Sequence, residues 1–189
     1  MRVIFLDRDG VINRYPGDAD YVKSWDEFHF LPQVLPSLKK LNDKGFKIFI
    51  ISNQAGVSKG IFSQEDLDLI TNNMLNEFKK HNIDIAGVYY CTHREEDNCL
   101  CRKPKTGLID AAIGQLKKQG GEVELSKSYF IGDTVRDVET GKSAGLKTIM
   151  VMSGKEKAEN KDNWHNHPYF TARDLSEAAD LILNEPRPS

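Results

Sequence analysis

The hydrophobic pattern of this chain predicts an α/β fold: a doubly wound, Rossmann-like parallel sheet with helices on both faces. Three observations carry the prediction. Short apolar runs such as Val3-Ile4-Phe5-Leu6 are continuous rather than alternating, as expected of strands covered on both faces. Segments with helical spacing separate the runs, which argues for strand–helix–strand units. Polar residues cluster immediately after the runs, where ligands of open α/β sheets gather. No linker or internal repeat divides the 189 residues, so one domain over 1–189 is expected, long enough to bury a substantial core.

The first strand, Val3–Leu6, ends in Asp7-Arg8-Asp9-Gly10. Asp7 and Asp9 are two residues apart and in extended chain point the same way. Gly10 lets the backbone turn sharply behind them. Taken alone, Asp-x-Asp-Gly is either a strand-end turn or a site. The polar stretch 13–30 is longer than a usual strand–helix connection and reads as a lid, which Tyr21, Val22, Trp25, Phe28 and Phe30 fold over something.

A helix is predicted from Val34 to Lys44, on Leu35, Leu38 and Leu41, with Gly45 placed to end it. Phe46–Ile51 is the second strand, followed by Ser52-Asn53-Gln54-Ala55-Gly56. Ser63 caps the next helix, with Asp66 three residues on, and Leu67, Ile70, Met74, Leu75 and Phe78 carry it to about Lys80. Ile85–Tyr90 is the third strand and runs into a charged loop from Cys91 to Lys105. Thr106 is expected to cap a helix carrying Leu108, Ile109, Ala112, Ile113 and Leu116, broken by Gly120-Gly121. Tyr129–Ile131 is the fourth strand, Val135 to about Ala144 a helix closed by Gly145, and Leu146–Met152 the fifth strand. The stretch 153–168 reads as a polar loop and Asp174–Leu183 as a last helix, with a frayed end at 185–189.

Composition narrows the function. The formal net charge is -2, which points away from nucleic acid or an anionic membrane as partner. No apolar run approaches the roughly 20 residues that span a bilayer, and no signal peptide is recognisable at the start. A cytoplasmic location is the resulting expectation, and a monomer the expected state. Three cysteines cannot pair off evenly, and in a reducing compartment closely spaced ones bind metal more often than they form disulfides.

Four polar clusters fall at predicted strand ends: Asp7/Asp9, Ser52/Asn53, Arg102/Lys103 and Asp133/Asp137. The last pair lies at i, i+4 of a helix start, hence on one face. Each cluster alone is open to a bland reading as cap or surface charge. Four carboxylates sharing one crevice, however, are costly without cations. Mg²⁺ suits them, since it takes few carboxylates together with phosphate and water. Lys103 adds positive charge, Ser52 a hydroxyl, and the backbone N–H groups after it can cradle an anion. The sum is a phosphate site with a carboxylate nucleophile at hand.

A second constellation, Cys91, His93, Cys99 and Cys101, fits a tetrahedral Zn²⁺. Four protein ligands fill the coordination sphere, so this zinc is expected to be structural. It would fix the base from which Arg102 and Lys103 project. His29, His81, His165 and His167 read as incidental, and Trp164 as a packing anchor.

The residues Phe5-Leu6-Asp7-Arg8-Asp9-Gly10, Ile51-Ser52-Asn53-Gln54, Cys101-Arg102-Lys103-Pro104 and Ile131-Gly132-Asp133 resemble the four motifs of the haloacid dehalogenase superfamily. With the zinc-loop pattern, the chain is similar over roughly 1–183 to the D-glycero-D-manno-heptose 1,7-bisphosphate phosphatases and the related histidinol-phosphate phosphatases. The resemblance implies a Mg²⁺-dependent phosphomonoesterase covered by loops rather than by a separate cap domain, acting on a small phosphorylated sugar. Asp7 would be the nucleophile, and Asp9 the acid and then the base. Ser52 and Lys103 would hold the phosphoryl oxygens. Asp7, Asp133 and the backbone carbonyl of Asp9 would bind Mg²⁺, with Asp137 orienting Lys103 or a metal-bound water. Arg102 would recognise the far end of the substrate, and Asn13, Tyr21, Asn53 and Gln54 would contact it.

The chain departs from the pattern at three places. Ser52 stands where Thr is frequent, Ala55 where a small hydroxyl residue is frequent, and Thr134 where the heptose enzymes often carry Lys. Tyr21-Val22 and Phe30-Leu31-Pro32 resemble the heptose branch. Three other readings stand beside it: histidinol-phosphate phosphatase, a phospho-accepting receiver-like domain, and a zinc-stabilised binding protein without catalysis. Asp9 argues against the receiver, which has no use for an acid/base beside its phosphoryl group.

Overall fold

The computed structural model describes residues 1–185, and positions 186–189 of the expected frayed end lie outside them. Six strands, β1 (Val3–Leu6), β2 (Lys47–Asn53), β3 (Ile85–Cys91), β4 (Tyr129–Gly132), β5 (Lys147–Val151) and β6 (Phe170–Ala172), form one sheet. Its order is β3-β2-β1-β4-β5-β6, and every pairing is parallel. Four helices connect the first five strands, α1 (Val34–Asp43), α2 (Gln64–Lys80), α3 (Gly107–Lys118) and α4 (Val135–Ser143), and α5 (Leu175–Asn184) follows β6.

The continuous apolar strands are explained by two cores. Along β1, Ile4 and Leu6 join Leu38, Ile70, Met74, Phe78 and Ile182 on one face, among residues of α1, α2 and α5. Val3 and Phe5 point the other way, into a cluster with Phe49, Ile109, Ala112 and Leu116 of α3. Trp164 is buried with Val138 and Met150 and is the packing anchor expected of it.

Local signals act largely as the sequence predicts. Gly45 ends α1 with φ +82°. Ser63 and Asp66 form a reciprocal capping box at the start of α2. Three expectations are corrected. β6 was not foreseen, because a strand of three residues is too short to show a period. Thr106 precedes α3 with helical backbone and does not cap it; its hydroxyl donates to Asp110 instead. Glu185 is not frayed, since it accepts from Lys147 at 2.5 Å and from Tyr129.

The stretch 13–30 is a loop with its ends zipped together. Arg14 N–H donates to the His29 carbonyl at 2.8 Å and Leu31 N–H to the Ile12 carbonyl at 3.0 Å. Trp25 stacks on Phe28, Phe28 meets Phe30 edge-on, and Phe30 meets Phe78 of α2. The aromatic residues anchor the loop, leaving its tip over the carboxyl ends of the strands. No helix of the described residues is long and apolar enough to cross a membrane.

Candidate active site

Sheet order reverses direction at β1, which lies between β2 and β4. Ligands of doubly wound sheets bind at such a switch point, outside the carboxyl ends. Asp7 follows β1 and Asp133 follows β4, so neighbouring strands deliver both carboxylates to this crevice. Asp7 N–H donates to the Ile131 carbonyl at 3.0 Å, which ties the end of β1 to β4. Asp137 arrives from the first turn of α4, and one carboxylate oxygen from each of the three lies within 4.8 Å of the others. Gly10 (φ +82°) and Gly154 press their backbones against the Asp133 carboxylate, leaving no room for a Cβ at either position. Lys155 N–H donates to Asp133 Oδ2 at 2.7 Å.

Lys103 closes the cluster. Its Nζ lies 2.8 Å from Asp7 Oδ2 and 2.5 Å from Asp137 Oδ1, with all three side chains buried or nearly so. Burial opposes the ammonium charge, but Asp137 and Asp7 outweigh it and hold Lys103 above its ordinary pKa. Asn53 fixes the lysine backbone: its Oδ1 accepts from Lys103 N–H at 3.1 Å, and its Nδ2 donates to the Lys103 carbonyl at 3.2 Å.

One lysine does not neutralise three carboxylates. Burial pushes the Asp7 carboxyl up to about 6, against the pull of Lys103. Burial, together with Asp137 and Asp7, holds Asp133 well above the ordinary range. Oxygen-only ligands that resist ionisation for want of positive charge suit a hard divalent cation. The donor set therefore fits Mg²⁺.

A cavity of about 190 Å³ opens above this cluster, lined by Asp7, Asp9, Ser52, Asn53, Lys103 and Asp133. Tyr21 and its loop neighbours Tyr15 and Asp20 form the far wall. Arg136 of α4 also reaches this wall and was missed by the sequence reading, which took the first turn of α4 only as far as its acids. Tyr15 was missed as well, since one aromatic residue in a polar loop carries no pattern. Thr134 accepts from Asp137 N–H and donates to its carboxylate at 2.6 Å, a capping box that fixes the rotamer in which Asp137 meets Lys103.

Three of the residues expected to contact substrate do not line this cavity. The Asn13 and Gln54 side chains are fully buried and do not line the cavity; their amides donate to Asp9 at 2.8 and 2.9 Å. Arg102 lies outside it too, in a neighbouring cavity of about 230 Å³ that shares Lys103 and Arg136 with the first. Its Nη1 donates to the His93 carbonyl at 3.3 Å.

Cys91, His93, Cys99 and Cys101 converge as predicted. Their sulfur–sulfur distances are 3.2–3.6 Å, and His93 Nδ1 is 3.3 and 3.6 Å from two of the sulfurs. A tetrahedron with arms of about 2.3 Å has edges of about 3.8 Å, so the cluster fits zinc after a small expansion. Burial pushes the Cys91 thiol up to about 12. At Cys99 burial acts the same way, but hydrogen bonds from Cys101 and the Arg102 backbone prevail and bring the thiol to about 7. Lys105 ties the loop down by donating to the Asn98 and Cys99 carbonyls at 3.0 and 2.8 Å.

Known proteins resemble this chain over most or nearly all of its length. Residues 2–165 match the family model described as polynucleotide kinase 3 phosphatase. The chain is 37% identical to D-glycero-D-manno-heptose-1,7-bisphosphate 7-phosphatase of Chlorobaculum tepidum, over 98% of this chain and 96% of that protein. It is 34% identical to the D-glycero-beta-D-manno-heptose-1,7-bisphosphate 7-phosphatase of Haemophilus influenzae, over 82% of this chain and 83% of that one. A crystal structure of D,D-heptose 1,7-bisphosphate phosphatase from B. bronchiseptica, complexed with magnesium and phosphate, superposes with a TM-score of 0.86. That alignment has 27% identity and covers 98% of this chain and 100% of the other.

Proposed function

Because the chain belongs to the haloacid dehalogenase-like heptose 1,7-bisphosphate phosphatase family, and so is a sugar bisphosphate phosphatase, we propose that it removes the 7-phosphate of D-glycero-D-manno-heptose 1,7-bisphosphate through an aspartyl-phosphate on Asp7. The observation that carries this reading is the pairing of Asp7 Oδ2 with Lys103 Nζ at 2.8 Å beside Asp133 and Asp137, at the mouth of the cavity.

Asp7 attacks phosphorus in line, and the bond from phosphorus to the sugar oxygen breaks. Asp9 gives its proton to that oxygen. In the second step Asp9 takes a proton from water, the water oxygen bonds to phosphorus, and the Asp7–phosphorus bond breaks. Lys103 and the Ser52 hydroxyl face the phosphoryl oxygens, where charge accumulates in the transition state. Asp7, Asp133 and the Asp9 carbonyl would hold Mg²⁺, which supplies further positive charge to those oxygens when bound. Asn53 acts through the Lys103 backbone, and Tyr21 contacts the sugar.

Arg136 provides the cation that Thr134 does not. It lies between the two cavities, and with Arg102 in the second it suits the substrate's other phosphate. The zinc in the Cys91–Cys101 loop is structural.

The test is phosphate release with Mg²⁺ from both heptose 1,7-bisphosphate anomers, histidinol phosphate, simple sugar monophosphates and a 3′-phosphorylated oligonucleotide. We expect one heptose anomer to be preferred by about a hundredfold, equivalent to about 2.7 kcal/mol. Arg136→Ala should raise KM for the bisphosphate and leave monophosphate turnover alone. Equal, slow turnover of everything overturns the substrate.

A further inference from the structure

One side chain at the site has no part in the proposed reaction. Arg8 stands between the two motif aspartates, yet it is 0% exposed and is among the largest fully buried side chains of the described residues. A guanidinium taken out of water needs compensation from its partners. Most of its hydrogen bonds go to one carboxylate. Nε and Nη2 lie 3.2 and 3.0 Å from Asp9 Oδ1, Nη2 lies 3.0 Å from Asp9 Oδ2, and Nη2 also lies 3.2 Å from Gln54 Oε1. No backbone carbonyl of the described residues accepts from the Arg8 side chain, and its contacts with distant segments are to the Gln54 and Tyr90 side chains. Its Nη1 has no partner there, and its guanidinium carbon lies 5.7 Å from the centre of the Tyr90 ring.

Two more buried groups share the task. Asn13 Nδ2 donates to Asp9 Oδ1 at 2.8 Å and Gln54 Nε2 to Asp9 Oδ2 at 2.9 Å. Asp9 itself is 18% exposed and lines the cavity, while all three of its partners are sealed from it. An aspartate has two rotatable bonds, and a misplacement of about 1 Å costs a catalytic group about a hundredfold.

We infer that Arg8 is a positioning residue for Asp9, the central member of a buried Arg8–Asn13–Gln54 clamp that holds the carboxylate in one orientation at the cavity mouth. The inference rests on Asp9 serving as the acid of the proposed reaction. Gln54 Nε2 also lies 3.2 Å from Ser52 Oγ, so the same clamp reaches the hydroxyl that faces the phosphoryl group. The Asn13 and Gln54 amides, expected from the sequence to touch substrate, act on Asp9 instead.

The experiment uses the metal-loaded enzyme and two leaving groups. A sugar alkoxide needs a proton as it departs, whereas p-nitrophenolate does not. Arg8→Met, Arg8→Lys and Gln54→Met are compared with wild type in single-turnover release from the sugar bisphosphate and in the nitrophenol burst, with Asp9→Asn as reference. We expect Arg8→Met to slow sugar release about a hundredfold with KM within about twofold, and the nitrophenol burst by less than about fivefold. Arg8→Lys, which keeps the charge and loses the fork, should fall between. Gln54→Met should show the same leaving-group bias and stands in if Arg8→Met does not fold. Equal slowing of both leaving groups by the Arg8 and Gln54 variants, while Asp9→Asn discriminates between them, overturns the clamp. If Asp9→Asn itself fails to discriminate, the acid assignment falls, and the clamp falls with it.

Discussion

Lys103 Nζ donates to Asp137 Oδ1 at 2.5 Å, and both side chains are almost wholly sealed from solvent. The lysine comes from the end of the zinc loop and the aspartate from the first turn of α4. Asp137 is in turn held by the Thr134 N–H and hydroxyl. The ammonium that meets Asp7 is thus aimed by a residue that need not touch substrate.

Lys103→Met should leave Asp7 and Asp137 as unpaired buried carboxylates, and breaking such a pair costs about 3–5 kcal/mol. Turnover should fall by a factor on the order of 10²–10³, the usual cost of removing one donor to transition-state charge. The double variant Lys103→Met/Asp137→Leu should recover part of the stability and none of the activity. Urea melts and turnover rates on the same four proteins check this. A double variant whose loss of stability equals the sum of the two single losses shows that the two residues are not coupled.

The raised Asp7 and Asp133 carboxyls predict an unusual dependence of stability on pH. Unfolded, an aspartate releases its proton near pH 4; folded and without a cation, Asp7 keeps it to about 6. Within that window the folded state holds more protons than the unfolded state. The contribution of Asp7 to stability is therefore full below about pH 4 and is lost as pH rises through about 6. Asp133 acts in the same sense. Mg²⁺ should offset the loss, so the gap between melting temperatures with and without Mg²⁺ should widen from about pH 4 to above pH 6. A gap that stays constant across that range would sink the metal assignment.

The zinc loop should stabilise without taking part in the chemistry. Zinc requires thiolates, and the Cys91 thiol is held at about 12 in the metal-free cluster, so binding releases protons. We expect one zinc per chain by elemental analysis, lost progressively as pH falls and protons compete with the metal for its ligands. Cys101→Ser should abolish the metal, lower the melting temperature and cost about tenfold or more in activity, because Arg102 and Lys103 follow the last ligand directly. Full activity in a zinc-free protein means the loop holds itself.

The parts of the site read from sequence share a property. Asp7, Ser52 and Asp133 each follow an uninterrupted apolar run, and the carboxyl ends of parallel strands face one crevice whatever the order of the strands. The zinc ligands are close in sequence and need only a short loop to meet. Asn13 and Gln54 were read as substrate contacts, and the structure turns both amides toward Asp9, because spacing does not say toward which neighbour an amide turns. Arg136 left no mark, since an arginine on an amphipathic helix is ordinary. Thr134 stood out as a lost cation, whereas the structure reveals it as the cap that aims Asp137.

The sequence by itself determined the layers, the helix between each pair of the first five strands, the Cys/His cluster, and the crevice in which the carboxylates meet. These follow from hydrophobic period and from ligands near in sequence, both local properties. Only the tertiary structure decided the strand order, the pairing of Lys103 with Asp137, the place of Arg136 between two cavities, and the burial of Arg8 against Asp9. Each of these depends on which distant segments share a side of the sheet. Long-range packing settles that, and the choice of partners for buried charges with it, because a charge out of water must take the nearest counter-charge the fold supplies.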